Sequence, residues 1–465
     1  YIPTMPDITR RYGTSVAIDG PTLMVGAPYK ACDDQFHCGA VYVVHDTSEP
    51  GDWSAFEQTE VFAPDAVGAS EFGWTVALNM EELVVGASFD DDVGPNAGAV
   101  YVLDREQPWT ERQKITPAGI GDTAGNGLGW QVATDRDTLI ASAPGYDSGP
   151  EIQLYQRERG LWRLRNRVFV ADRPYAVAVE GRHAFVGLPY HDEGNRILHV
   201  EDASGAGDWS AILTHEIVPS VGHWRDNFGR ALALRGRELI VGGPYSGVLV
   251  YFGGAVLVLR DTSVAGDWSE YSETVLEPAT SLVTNDLFGS AVDLGDESLV
   301  IGASNTSTGR GSVFVFARDP SSPAGWSELA RITPAQVEDG DYFGNSVAID
   351  DANQRAYIGA RYDHDGGSYR GSVYFYEYDA GTSEWVFRQD IVAGNSYNEM
   401  GFAIDVDSAT GTLVAGTPAE DADTVDLADH DGTNDSGAVY VFNYDGGTGQ
   451  YTAFQKLKGI ETRVD

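Results

Sequence analysis

Aspartates are the residues in this chain best placed to do chemistry, and they gather at particular points. Asp90, Asp91 and Asp92 are consecutive, Asp363 and Asp365 flank a histidine before a Gly-Gly pair, and Asp421, Asp423, Asp426, Asp429, Asp431, Asn434 and Asp435 crowd one long segment. Alternating Asp-x-Asp-Gly spacing lets carboxylates turn inward around a hard cation while glycine makes the bend. The expected metal ligands are therefore Asp90, Asp92, Asp363, Asp365, Asp421, Asp423, Asp426, Asp429, Asp431 and Asp435, with Ca2+ as the ion. A solvated acidic loop is the plainer alternative, since aspartate and glycine are ordinary turn residues.

Other chemistry-bearing groups are fewer. Five of the nine histidines lie in one region (His183, His191, His199, His215, His223), but their spacing matches no metal motif and strand alternation is expected to scatter them. No Gly-x-Ser-x-Gly, His-Glu-x-x-His or phosphate loop is present, so no catalytic residue is assigned and the chain is read as a non-enzyme. Cys32 and Cys38 close a short loop and are expected to form a disulfide, which implies an oxidising compartment. Asn305-Thr-Ser and Asn434-Asp-Ser are glycosylation sequons. Arg163, Arg165 and Arg167 alternate and would share one strand face, either guarding an outer edge or docking an acidic partner. Leu249, Tyr251 and Phe252 belong to an apolar run at a loop position, which either packs inward or forms a contact site.

The formal net charge is −40. Such a surface disfavours nucleic acid and anionic membranes and favours cations or basic partners. Only four lysines occur (Lys30, Lys114, Lys456, Lys458), which together with many acids fits a saline or calcium-rich extracellular medium, genomic base composition being the alternative source of the arginine bias. No stretch of about 18 apolar residues is present, so no membrane span is expected. The first residue is Tyr1 rather than Met, as in a trimmed mature protein.

The elements that must position these groups repeat. Phe72–Val102 holds three strand signals in a fixed order: Thr75–Leu78, Leu83–Ala87 and, after the aspartate loop, Ala99–Val102. Eight copies of this unit can be aligned on a Phe-Gly-like pair and a later Gly-Ala-Pro-like triplet, the fourth being the most degenerate. A fourth strand signal follows each, usually opened by a tryptophan turn such as Gly51–Ser54, Gly207–Ser210 or Gly266–Ser269. Four antiparallel strands repeated eight times predict an all-β, eight-bladed β-propeller, seven blades being the alternative count. The expected blades are 11–64, 65–118, 119–170, 171–219, 220–279, 280–334, 335–392 and 393–460, forming one domain. An open solenoid is disfavoured because no terminal copy carries a polar capping face. The last copy has its own fourth strand, so ring closure requires no exchange, and Tyr1–Met5 is a candidate to add a further strand.

The pattern Phe-Gly, Ser-Val-Ala-Ile-Asp, Leu-Val-Val-Gly-Ala-Pro and Gly-Ala-Val-Tyr-Val-Phe resembles the FG-GAP repeat of the integrin α-subunit propeller and of bacterial and marine surface proteins. That resemblance implies an extracellular or cell-surface binding, adhesion or assembly module, with a protein or glycan ligand at one propeller face or with self-assembly. The integrin calcium loop between first and second strands is not matched: Asp19-Gly20, Asn79-Met80-Glu81 and Gly295-Asp296 are tight turns, and Asp405-Val-Asp407-Ser-Ala-Thr-Gly411 lacks a third acid. Three other roles compete with the binding module. They are a lectin using the turn tryptophans, a structural subunit of an extracellular assembly, and a polysaccharide-acting enzyme using the His183–His223 region.

Overall fold

The computed structural model describes residues 9–31, 37–48, 51–65, 69–79, 82–105, 109–117, 124–147, 149–190, 195–222, 225–305, 308–364, 370–392, 399–419 and 435–457. Among them there is no helix, and the strands form eight sheets, each built on four antiparallel strands in sequence order, with Thr9–Tyr12 added to the last as a fifth, parallel strand. The fold is an eight-bladed β-propeller. Two compact units are distinguished: Tyr1–Trp130, Gly359–Phe375 and Arg388–Asp465 in one, Gln131–Ile358 and Tyr376–Phe387 in the other. Blades one, two and eight fall in the first and blades three to six in the second.

Each strand follows from its side chains. Second strands such as Thr22–Ala27, Glu82–Ala87 and Thr412–Thr417 are buried throughout, which is why they read as unbroken Leu/Val/Ile runs. Fourth strands such as Phe56–Val61 are only partly buried and alternate charged with apolar residues. The hydrophobic core lies between blades rather than within them. Phe72, Leu83 and Tyr101 of blade two pack with Met24, Val41 and Val43 of blade one. Phe185 and Ile197 of blade four meet Phe228, Leu239 and Leu257 of blade five in the same way.

The two motif glycines exist because two backbones meet. Gly73 sits at φ +95°, and a Cβ there would lie 2.5 Å from the Ala40 carbonyl oxygen. A Cβ on Gly26 of the preceding blade would come within 2.1 Å of the Gly73 carbonyl oxygen. The second-strand glycine of one blade thus receives the Phe-Gly glycine of the next, and the phenylalanine is carried into the seam, where full burial is worth roughly 1.5–3 kcal/mol. Parallel bridges pin the same junction, as between Gly39 and Phe72. Blade four supports this account by exception. It has Pro174-Tyr175 in place of Phe-Gly, and the preceding second strand has Ser142 in place of glycine.

Blade eight meets blade one through the same joint. Thr9–Tyr12 pairs in parallel with Asp435–Asp445, and a Cβ on Gly416 would lie 2.2 Å from the Gly13 carbonyl oxygen. Tyr1–Met5, the segment considered for a further strand, lies outside the described residues.

Candidate functional site

The loop joining second to third strand opens, in several blades, on a tyrosine placed just after the Gly-Ala-Pro triplet: Tyr29, Tyr190, Tyr245 and Tyr362. A second position, directly after the Phe-Gly pair, carries Trp74, Trp130, Arg230 and Phe402. The joint described above brings these positions together, because Phe-Gly of one blade is pinned beside the second strand of its neighbour. The outcome is a set of arginine–tyrosine contacts. Arg11 lies 5.4 Å from the Tyr29 ring, Arg173 5.3 Å from Tyr146, and Arg361 4.6 Å from Tyr362 and 5.7 Å from Phe402. Trp74 and Trp130 stand 5.1 Å apart. The fullest group is in blades four and five. There the Arg230 guanidinium lies 5.0 Å from the Tyr175 ring and 5.8 Å from Tyr245, and its Nη1 donates to Tyr190 Oη at 3.3 Å. Tyr190 keeps 45% of its surface exposed. Burial raises its hydroxyl pKa, with Arg230 pulling the other way. Each half-exposed cation–π contact is worth about 0.5–1 kcal/mol, enough to hold these side chains in place. Sequence reading missed this group; the signal was the recurrence of aromatic or arginine residues at two fixed positions of the repeat.

The predicted acidic sites fare differently. Asp90 is buried, accepts from Tyr101 Oη at 2.6 Å and lies 3.2 Å from Lys114 Nζ. Lys114 also reaches Asp65 at 2.7 Å and Asp92 at 3.4 Å. The chain's own ammonium thus sits among the carboxylates of Asp65, Asp90 and Asp92, two of which were expected as calcium ligands. Blade one inverts the charges: Lys30 stands where Asp90 stands, Glu60 where Lys114 stands, and the two are 3.4 Å apart beside Tyr42. Asp363 is buried and accepts from Tyr374 Oη at 2.7 Å. No group of three or more His, Cys, Asp or Glu suited to a metal occurs among the described residues. Asp365, Asp421, Asp423, Asp426, Asp429, Asp431 and Asn434 lie outside them, as do Cys32 and the side chain of Asp435. Cys38 is buried, its sulfur 3.3 Å from the Lys30 carbonyl oxygen, and Asn305 is half-buried.

The three arginines do not share a face, which corrects the alternation reading. A bulge in Leu161–Phe169 leaves Arg165 without a cross-strand partner, while Arg163 opposes Gln156 and Arg167 opposes Gln153. Gln156 and Gln153 are an odd number of residues apart, so Arg163 and Arg167 point to opposite faces. Arg167 is paired with buried Glu151 at 2.6 Å and Arg165 with Glu158. The apolar run of blade five forms a turn in which Leu249 is half-buried and Tyr251 is 67% exposed, its ring 4.2 Å from that of Phe252.

Strand pairing gathers the histidines rather than scattering them. His199 lies opposite both Phe185 and His215, and His183 pairs two residues along the same face, opposite Glu201. His183 Nδ1 and His199 Nε2 are 3.0 Å apart. His199 is only 3% exposed, and burial, with the charges of His183 and His215, pushes its pKa down to about 3. His191 and His223 lie outside the described residues. The turn tryptophans are likewise structural. Trp53 Nε1 donates to Thr412 Oγ1 at 3.2 Å, Trp209 to Thr138 Oγ1 at 3.0 Å and Trp326 to Glu238 Oε1 at 3.0 Å. Each acceptor opens the second strand of the preceding blade, so these rings staple blades together and are buried away from any sugar.

The FG-GAP repeat family model matches residues 55–103 and 326–376. Each match runs from the fourth strand of one blade to the third strand of the next, with the Phe-Gly joint between. The two matched stretches are FG-GAP repeats set in an eight-bladed propeller. No curated protein matches the sequence. Among solved structures, Sqt1 from Saccharomyces cerevisiae is similar at 11% identity and TM-score 0.54, covering 97% of each chain. Sqt1 from Chaetomium thermophilum aligns at 12% identity and TM-score 0.54, over 88% of this chain and 94% of that one. At such identities the likeness is one of fold.

Proposed function

We propose that this FG-GAP propeller is a non-catalytic binding or adhesion module of the extracellular space or cell surface. Its ligand, protein or glycan, is taken by the loops that join second and third strands. The observation that carries the reading is the recurrence of half-exposed tyrosine, tryptophan and arginine at two repeat positions, one on those loops and one beside them in the connection into the first strand. These residue types dominate binding hot spots because they combine large rigid area with a polar tip. Placing recognition on loops held by a rigid frame is the usual division of labour. The histidines argue against an enzyme at their site, since His199 is buried and hydrogen-bonded within the strands. Within the same reading, a Cys32–Cys38 disulfide, glycans at Asn305 and Asn434, and calcium bound by the 420–434 acidic run would stabilise the loops; calorimetry with calcium and with chelator tests the last.

Probing an array of extracellular glycans and matrix proteins tests the main claim. The probes are the full chain and two variants, Tyr29→Ala/Tyr362→Ala and Trp74→Ala/Trp130→Ala. Ligands bound by the full chain should weaken at least tenfold with one or both variants. Equal binding by all three would place recognition elsewhere.

A further inference from the structure

We propose that Arg230 with Tyr175, Tyr190 and Tyr245 forms a subsite for a carboxylated sugar, a uronic acid unit of an acidic polysaccharide. This deepens the preceding reading and rests on it.

Among the described residues, Arg230 is a charge with no counter-charge within ion-pair distance. The chain holds 70 acids against 30 Lys and Arg, and many of its arginines pair with a carboxylate. Arg112 has Glu82, Arg167 has Glu151, Arg260 has Glu238, and Arg11 has Glu71 close by. The described contacts of the Arg230 guanidinium are with three tyrosines, Tyr175, Tyr190 and Tyr245. A guanidinium lodged against rings gives up part of its hydration, and a bidentate carboxylate is the partner that best restores it. One tyrosine hydroxyl already occupies one donor, which orients the fork.

The rings select what carries the carboxylate. Tyr175 and Tyr190 meet at 76° with centroids 6.0 Å apart, so they form a corner with the guanidinium beside it. A pyranose fits such a corner: one flat C–H face lies against a ring while the carboxylate on the adjacent carbon reaches Arg230. An aspartate or glutamate side chain of a peptide would use the guanidinium and leave both rings wet. The overall charge of −40 repels anions at long range, so selectivity here is local and strongest where salt screens the distant acids.

The test is calorimetric titration of the full chain, in chelator and physiological salt. The probes are an oligogalacturonate, a neutral oligogalactose of equal length, and polyglutamate. The uronic oligomer should bind at least tenfold more tightly than either competitor. Arg230→Gln should abolish that ratio, and Tyr175→Ala should weaken both sugars. Arg230→Lys should recover only part of the ratio, since the charge returns without the fork. Thermal melts of each variant confirm folding. Equal affinity for charged and neutral sugar, an unchanged ratio in Arg230→Gln, or equally tight polyglutamate would overturn the proposal. If array ligands are lost with the Tyr29/Tyr362 or Trp74/Trp130 variants while the uronic oligomer does not bind, the loop-face reading stands and the sugar assignment falls.

Discussion

Among single residues, His199 and Lys114 show how burial and partner decide a role. A hydrogen bond between His183 and His199 needs one nitrogen unprotonated, and burial lowers both pKa values. Around the pair lie His215, Arg182, Asp261 and Asp267; the acids offset only part of the desolvation cost. A histidine depressed in the folded state binds fewer protons than when unfolded. Its contribution is therefore complete above about pH 6.5 and lost as pH falls toward about 3. Linkage gives about 2 kcal/mol of destabilisation at pH 5 from this group. His199→Phe, which keeps a ring against Phe185, should make the melting temperature less sensitive between pH 7 and pH 5. An unchanged pH slope would contradict the assignment. For Lys114, replacement by Met leaves Asp90 buried beside Asp65 without a cation and should cost roughly 3 kcal/mol in denaturant titration. The double change Lys114→Glu with Asp90→Lys copies blade one's inverted pair, and it should recover a substantial part of that loss.

For the strands and blades, the interblade joint explains why the repeat is spelled as it is. Gly73→Ala must place a Cβ against a neighbouring backbone carbonyl at positive φ, and neither can yield. The expected loss is at least about 3 kcal/mol. Gly20 is the control: it also has positive φ, +56°, but nothing lies within 4 Å of its Cβ position, so Gly20→Ala should cost only about 1 kcal/mol. Comparable losses from the two variants, read as urea midpoints, would refute the packing account. First-strand acids extend the same logic. Asp405 Oδ2 accepts from Ile18 N at 3.0 Å and Asp293 from Ile349 N at 2.8 Å, so acids near the position of the integrin calcium loop serve as interblade hydrogen-bond acceptors.

Across the whole molecule, a net charge of −40 should oppose compaction through self-repulsion. Raising sodium chloride from about 10 mM toward 1 M shrinks the Debye length from roughly 30 Å to 3 Å and should raise the melting temperature. A fall instead would mean that the Arg–Asp and Arg–Glu pairs outweigh the general repulsion. Chelator addition in the same experiment separates ionic strength from any specific contribution of calcium.

The sequence by itself determined the strands, their order and the number of blades. Each of these depends on local patterns that recur: Leu/Val runs for buried second strands, glycine where φ must be positive, Phe-Gly before each first strand. Even the turns were legible, since Gly-Asp-Trp-Ser and Asp19-Gly20 are short-range signals. Tertiary structure alone decided which residues of different blades meet. The bulge at Arg165 shifts a face without marking the sequence, His183 reaches His199 only through strand register, and the turn tryptophans find Thr412 or Thr138 only across a seam. The Arg230 group likewise joins residues from two repeats. Such contacts are set by register and packing between elements distant in sequence, and local propensity carries no record of them.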